Sequence, residues 1–381
     1  MQQEIVEIIN RKFSKLTDSF LKVLYEDDEV FLENMRKKNV PAEELKKYQF
    51  WEWTQGVGLY GFWRCYEYTG NKKYLEILEN YYDRQLKIGL PGKNVNTVTP
   101  LLAMSFLAEK TGRAEYMTVC SEWAEWILTK FPRTEEGGFQ HITSDCVNEG
   151  ELWDDTLFMT VLFLANMGRI SGKKEYTDEA VYQVLVHTKY LADRKTGLWF
   201  HGWTFRERNN FAGAFWGRGN SWITAAIPEF LSIVSCAEPE RRYLTEVLIR
   251  QVEALVKNQD ASGMWHTLID DESSYLEASA TCGIAYGILR ACNMGLIDAK
   301  YRAYAEKALA PVLDCIDEDG VVQKVSYGTP MGRESKDFYR QIPIKSMPYG
   351  QALAMLFLME MNNGNISDGC KLFKEDLNEK F

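Results

Sequence analysis

"GLYGFWRCYEYTGNKKYLEILENYYDRQL", residues 58–86, reads as an apolar helix, a glycine turn, and a second helix opened by a tyrosine. The phrase returns as "LLAMSFLAEKTGRAEYMTVCSEWAEWIL" at 101–128 and as "LFMTVLFLANMGRISGKKEYTDEAVYQVLVH" at 157–187. A looser copy is "TCGIAYGILRACNMGLIDAKYRAYAEKALAPVL" at 281–313. In the first three copies the turn is Thr69-Gly70, Thr111-Gly112 and Ser171-Gly172, with a tyrosine three or four residues on. Glycine is expected there because a helix commonly closes on a left-handed residue, a backbone that Gly adopts at little cost.

A second phrase follows the second helices: "GGFQH" at 137–141, "GLWFH" at 197–201 and "GMWH" at 263–266. These loops hold His141, His201 and His266, three of the four histidines in the chain. Helical hairpins joined alternately by short turns and longer aromatic loops predict one closed, all-α toroid, with the long loops gathered on one rim. An open solenoid is the competing architecture. The irregular spacing, 42 residues from Gly70 to Gly112 and 60 from Gly112 to Gly172, favours the closed form. Strand-like alternation is confined to the neighbourhood of "GVVQKVSY" at 320–327. No Pro/Gly/Ser-rich linker divides residues 1–381, so a single domain is expected, its N-terminal helix within 1–30 packing on the barrel.

The bulk properties narrow the function. Hydrophobic residues make up 46% of the 381, enough for a large core, and 11 Trp, 20 Tyr and 19 Phe are more than a core needs. Such rings suit an amphipathic partner such as a sugar. The net charge of -10 argues against nucleic acid, which is bound through clustered Lys and Arg. It leaves a small anionic ligand open. The N-terminus lacks the marks of a signal peptide, and no run is long enough to span a bilayer. Cysteines 65, 120, 146, 236, 282, 292, 315 and 370 form no CxxC pair and read as reduced thiols, so a cytoplasmic protein without a membrane partner is expected.

Four stretches hold residues suited to chemistry. In "GELWDDTLFMTVLFLANMG" at 150–168, Asp154 and Asp155 open a helix. Either both acids serve the helix N-terminus, or one turns to the barrel axis beside Trp153 and Phe158, where apolar surroundings raise its pKa and make it a general acid. In "GLWFHGW" at 197–203, His201 stands between Trp199 and Trp203, as a core residue or a site residue. In "WGRGNSW" at 216–222, glycines flank Arg218, whose guanidinium suits a carboxylate. Asn220 or Ser221 could equally cap the helix that follows, and Pro228 is expected to kink or restart it. In "FWEWTQGVGLYGFW" at 50–63, Trp51 and Trp53 precede a helix and are less committed to the core than Leu59, Phe62 and Trp63. His187, inside a helix, reads as structural. No HExxH, His/Cys cluster, Walker loop, GxGxxG or GxSxG occurs, so neither a metal nor another cofactor is expected. The remaining set suits acid–base work on a sugar.

Taken in order, "KNVNTVTPLLAMSFL", "WDDTLFMTVLFLANMGRISGKKEYTDEA", "GLWFHGW" and "WGRGNSW" resemble glycoside hydrolase family 105, the unsaturated rhamnogalacturonyl hydrolases, and more distantly family 88. The resemblance runs from about Phe50 to Met359. It implies an (α/α)6 barrel, a six-hairpin toroid, acting on lyase-generated oligosaccharides that end in a 4,5-unsaturated uronic acid. It implies that Asp155 protonates C4 of the enol ether and then assists water at C5. It further implies that His201 and Arg218 contact the uronate, that Trp216 and Trp222 pack on the sugar faces, and that His141 and Trp53 line the pocket. Many members carry an Asp where this chain has Asn96, which can bond sugar hydroxyls but cannot act as an acid. Asp155 then bears the proton transfer, with Asp154 and Asn220 beside the sugar. Other sugar chemistries stay open from the residues themselves. A 2-epimerase would rely on His141 and His201, an inverting glycosidase is a further option, and a glycan-binding barrel would use Asp154 and Asp155 only as caps.

Overall fold

The computed structural model describes residues 2–26 and 28–363. Among them, six inner helical runs form a ring. They are Trp53–Thr69, Pro100–Thr111, Leu162–Ser171 with the preceding π-helical turn Leu157–Val161, Gly217–Ile233, Ala278–Asn293 and Pro348–Asn363. Each packs on the next, and the last packs on the first. The sequence explains why these are the inner set. Pro100 to Ala108 and Gly217 to Leu231 are buried residue after residue, as a helix with no polar face must be.

Outside this ring lie Lys73–Ile88, Ala114–Lys130, Lys174–Leu191, Glu238–Lys257 and the short pair Arg302–Lys307 and Leu309–Cys315. These helices are one-sided. Lys73–Ile88 buries Tyr74, Leu78, Tyr81, Tyr82 and Gln85, spaced three and four apart, and turns its charges outward. The helix Gln2–Val23 takes the equivalent outer place against Pro348–Asn363, so the two ends of the described chain meet at one seam.

The turn phrase does what its composition predicts. Gly70, Gly112 and Gly172 have φ of 70°, 68° and 69° and close their helices in left-handed backbone. The tyrosines after them are buried. Tyr116 and Tyr176 each send a hydroxyl back to the preceding outer helix, to Asp83 at 2.6 Å and Glu125 at 2.9 Å.

The second phrase forms loops that fold back on themselves through single bridges, Arg133 to Phe139 and Ala192 to Trp199. Two of these loops continue into the regular strands, Glu151–Trp153 paired antiparallel with Gly202–Thr204, Leu152 opposite Trp203. Strand pairing therefore falls beside the acids, while the neighbourhood of 320–327 makes only isolated bridges. The restart expected as one outcome at Pro228 does not occur, for the helix runs from Gly217 to Ile233 with Pro228 inside it. Seven of the cysteines are free thiols, and Cys370 lies outside the described residues, as do 364–381 and Asp27 of the N-terminal stretch. No described helix is long and apolar enough to cross a membrane.

Candidate active site

A cavity of about 440 Å3 opens on the rim that carries the long loops. Its wall is a run of flat groups in contact, contributed by several different elements, with His201 buried behind it rather than lining it. Trp53 lies on Tyr349 with ring centres 4.6 Å apart. The Arg218 guanidinium sits 4.6 Å from both the Tyr349 and Trp216 rings. Trp216 meets His201 at 4.3 Å, His201 meets Trp153 at 5.1 Å, and Trp153 stacks on His141 at 4.3 Å and 6°. A sugar ring presents C–H groups on its faces, and such a wall offers them apolar surface while leaving its hydroxyls to the polar groups between.

Asp155 stands at the first helical residue of the run that continues through Leu157–Val161. That π-helical turn is a local widening of the helix of the kind often found at functional sites, and nothing in the sequence marks it. Asp155 lines the cavity, whereas Asp154 points away from it and is fully buried. The room for Asp154 comes from Gly219. A Cβ there would lie 2.2 Å from the Asp154 Oδ2 and 2.8 Å from the Trp216 ring.

The two carboxyl groups titrate in opposite directions. Burial, then the neighbouring Asp155 charge, raises Asp154 far above the carboxylate range. Burial also acts on Asp155, but the contact with His201, the influence of His141 and a hydrogen bond from Asp154 outweigh it and hold this group low. The pair thus carries one proton, resident on Asp154, which has no other partner for either oxygen. The raised acid expected at Asp155 is its neighbour.

His201 is oriented by a residue that the sequence reading did not single out. Tyr339 accepts the Gly332 N–H at 3.1 Å, and its hydroxyl lies 2.7 Å from His201 Nδ1. The other ring nitrogen, Nε2, lies 3.5 Å from Asp155 Oδ2. Burial lowers the pKa of His201 and pushes that of His141 down to about 4, so both rings are neutral at pH 7. His141 Nδ1 bonds the Thr156 hydroxyl at 2.8 Å.

Arg218 is where it was expected, but most of its donors are already used. Its Nη1 bonds Ser326 and Ser279, and its Nη2 bonds the Tyr327 carbonyl and Thr329. Glu277 lies 3.9 Å from it. A two-pronged grip on a ligand carboxylate is therefore taken up internally, pinning the 326–329 segment, and Nε alone lacks a partner. A second cation, Arg333, also lines the cavity and is half exposed, held by both oxygens of Glu151.

Two other expectations change. Trp222 is fully buried and backs Trp53 edge-on at 6.1 Å, with Phe158 on its other side at 5.2 Å, so it cannot cover a sugar directly. Asn220 is neither in the cavity nor a cap. It sits inside the helix and ties the backbone of Trp199 through both its oxygen and its nitrogen, each at 2.9 Å. Asn96 and Trp53 line the cavity as expected. Trp51 is core, its indole N–H on the Thr97 carbonyl. His187 bonds the Gln183 carbonyl of its own helix, and His266 lies away from the cavity near Asp260.

Donor atoms of Asp154, Asp155 and His201 lie within 4.8 Å of one another, the one such trio among the described residues.

An all-helical ring with an acid pair under an aromatic cleft defines a sugar-processing enzyme. The family model described as Glycosyl Hydrolase Family 88 matches residues 28–364, and the chain belongs to this family of glycoside hydrolases. It is 36% identical over 314 residues to unsaturated rhamnogalacturonyl hydrolase YesR of Bacillus subtilis (strain 168), covering 82% of this chain and 89% of the relative. Two crystal structures described as possible members of the GH105 family are also similar. The one from Salmonella enterica serovar Paratyphi A has a TM-score of 0.85 at 43% identity and covers 92% of this chain and 93% of its own. The other, from Klebsiella pneumoniae, has the same score and identity and covers 95% and 93%.

Proposed function

We propose that this hydrolase removes a 4,5-unsaturated uronic acid from the non-reducing end of lyase-generated oligosaccharides, with rhamnose as the sugar released. The observation that carries this reading is the acid pair, one member buried with the proton and the other facing the cavity. The shared proton crosses from Asp154 to Asp155 and on to C4 of the enol ether. The positive charge that develops at C5 and the ring oxygen is answered by the two carboxylates the transfer leaves behind. Water adds at C5 and gives a proton to Asp155, which passes it back to Asp154 and restores the starting state. The resulting hemiketal opens, and the neighbouring sugar leaves. One acid pair thus serves both halves of the reaction, and the two separated carboxylates of an ordinary glycosidase are not required.

In this reading Trp53, Trp216 and His141 border the sugar, His201 holds Asp155 in place, and Asn96 takes hydroxyl groups. The Arg218 Nε and the half-exposed Arg333 are the cations available to the uronate. The whole barrel acts as one catalytic domain on a small soluble substrate in the cytoplasm, without a nucleic-acid or membrane partner. The C=C bond conjugated to the carboxylate absorbs in the short-wavelength ultraviolet, and hydration abolishes that absorbance. Loss of the signal from an unsaturated galacturonyl-rhamnose disaccharide is expected. A signal that stays constant over a panel of lyase-derived disaccharides refutes the proposal.

A further inference from the structure

We infer that Glu52 is a second carboxyl group of the site, meeting the bound sugar as an uncharged hydrogen-bond donor beside Asn96. The inference rests on the proposed uronate substrate and adds to it a group outside the acid pair. Glu52 is the residue before the helix Trp53–Thr69, yet its side chain makes no capping bond to that helix. Apart from the Trp53 N–H at the helix start, its partners come from other elements. The side chain is directed into the cavity and is buried there.

Its surroundings supply hydrogen bonds and no compensating cation. Asn94 Nδ2 donates to Ser144 Oγ at 3.0 Å, so the Ser144 hydroxyl passes its own hydrogen to Glu52 Oε1. Asn96 donates to the same carboxyl group. The titratable groups facing it are Asp145 from the 143–146 turn and Tyr48 from the preceding helix, while Asp28, Asp155, His141, Arg218 and Arg333 line the same cavity without pairing with it. Burial, reinforced by Asp145, pushes Glu52 up to about 8. An acid placed among amides and other acids keeps its proton at neutral pH. Its O–H is then a donor facing the ligand, and it does not repel a uronate as a carboxylate would.

The test is the initial rate on an unsaturated galacturonyl-rhamnose disaccharide from about pH 6 to about pH 9.5, for the wild type and Glu52→Gln. Wild-type kcat/KM is expected to fall about tenfold per pH unit above about pH 8, chiefly through KM. Gln stays neutral and still donates, so its profile lacks this limb, and near pH 9 the variant exceeds the wild type. A merely structural Glu52 predicts coincident alkaline limbs, and that result overturns the inference alone. A wild type without activity on any unsaturated disaccharide overturns the hydrolase reading and this inference with it. Thermal melts supply the independent check: the Tm gained by Glu52→Gln must grow as pH rises from 4.5 towards 8, and a pH-independent difference rules out the uncharged acid.

Discussion

Asp154 and Asp155 are neighbours in the chain with opposite surroundings. One is sealed behind Gly219 with no partner but its neighbour, and the other faces the cavity under His201. Replacing Asp155 by Asn removes the group that touches the substrate, so kcat should fall by roughly 10²–10⁴-fold while the ligand still quenches tryptophan fluorescence. Asp154→Asn has the shape of the neutral acid and should fold normally, but it has no proton to pass on, and kcat should fall by about 10² or more. Full activity in Asp154→Asn would mean that Asp155 obtains its proton elsewhere. The motif "WDDTLF" was enough to nominate both acids and to prefer Asp155. Which of them carries the proton was not readable, because burial and the His201 contact come from residues far along the chain. The same limit hid Glu52 and Tyr339. Glu52 precedes an ordinary helix in the sequence, and Tyr339 reaches His201 from 138 positions away.

At the scale of the element, the helix Gly217–Ile233 joins the site to the far end of the barrel. Its first turn carries Arg218 and makes room for Asp154. Twelve residues on, roughly 18 Å along the axis, Glu229 is buried and accepts from the Tyr60 hydroxyl at 2.7 Å, the Tyr286 hydroxyl and Arg290 Nε at 3.0 Å. Three inner helices are thereby tied together. Burial works against the Glu229 charge, yet Arg290 and Arg64 overcome it and bring the group down to about 2. Glu229→Gln leaves those arginines without their counter-charge and should cost about 3 kcal/mol in urea unfolding. Its stabilising effect is present above pH 4.5 and fades as pH falls towards 2, so the gap between variant and wild type should narrow in acid. Activity per folded molecule should be retained, given the distance from the cavity, and a loss of kcat without a loss of stability would contradict this division of labour. The glycine-turn-tyrosine phrase made the helices legible, and the low cost of left-handed glycine made their ends legible. The continuity through Pro228 was not, since burial of the helix from Gly217 to Leu231 is decided by residues far along the chain.

For the whole molecule, the buried groups set an unusual pH dependence of stability. His141 and His187 are pushed down to about 4 by burial, so the unfolded chain takes up protons before the folded one as pH drops below 6.5. Glu52 and Asp154 do the reverse, holding protons in the folded state that the unfolded chain has already lost. Between pH 4.5 and 6.5 the histidines, His201 among them, and the two carboxyl groups act in opposite directions. From 6.5 to 8 the carboxyl groups alone act, and Glu52 removes about 1.4 kcal/mol per pH unit until its folded-state value of about 8 is reached. Tm should therefore fall from pH 6.5 to pH 8. A Tm that rises over that interval would show that these acids are ionised in the folded protein.

By itself the sequence determined the helices, their turns, the closed ring and the aromatic, acid-bearing rim, because these follow from local backbone preference and from apolar periodicity repeated along the chain. It also nominated Asp155, His201, His141 and Trp216, since a repeated loop must return to the same rim. Tertiary structure decided the rest. It turned Trp222 and Asn220 into support, spent most of Arg218 on the 326–329 segment, placed the proton on Asp154 and brought Glu52 into the cavity. Each of those outcomes depends on burial and on charges brought together from distant positions, and both exist only once the ring has closed.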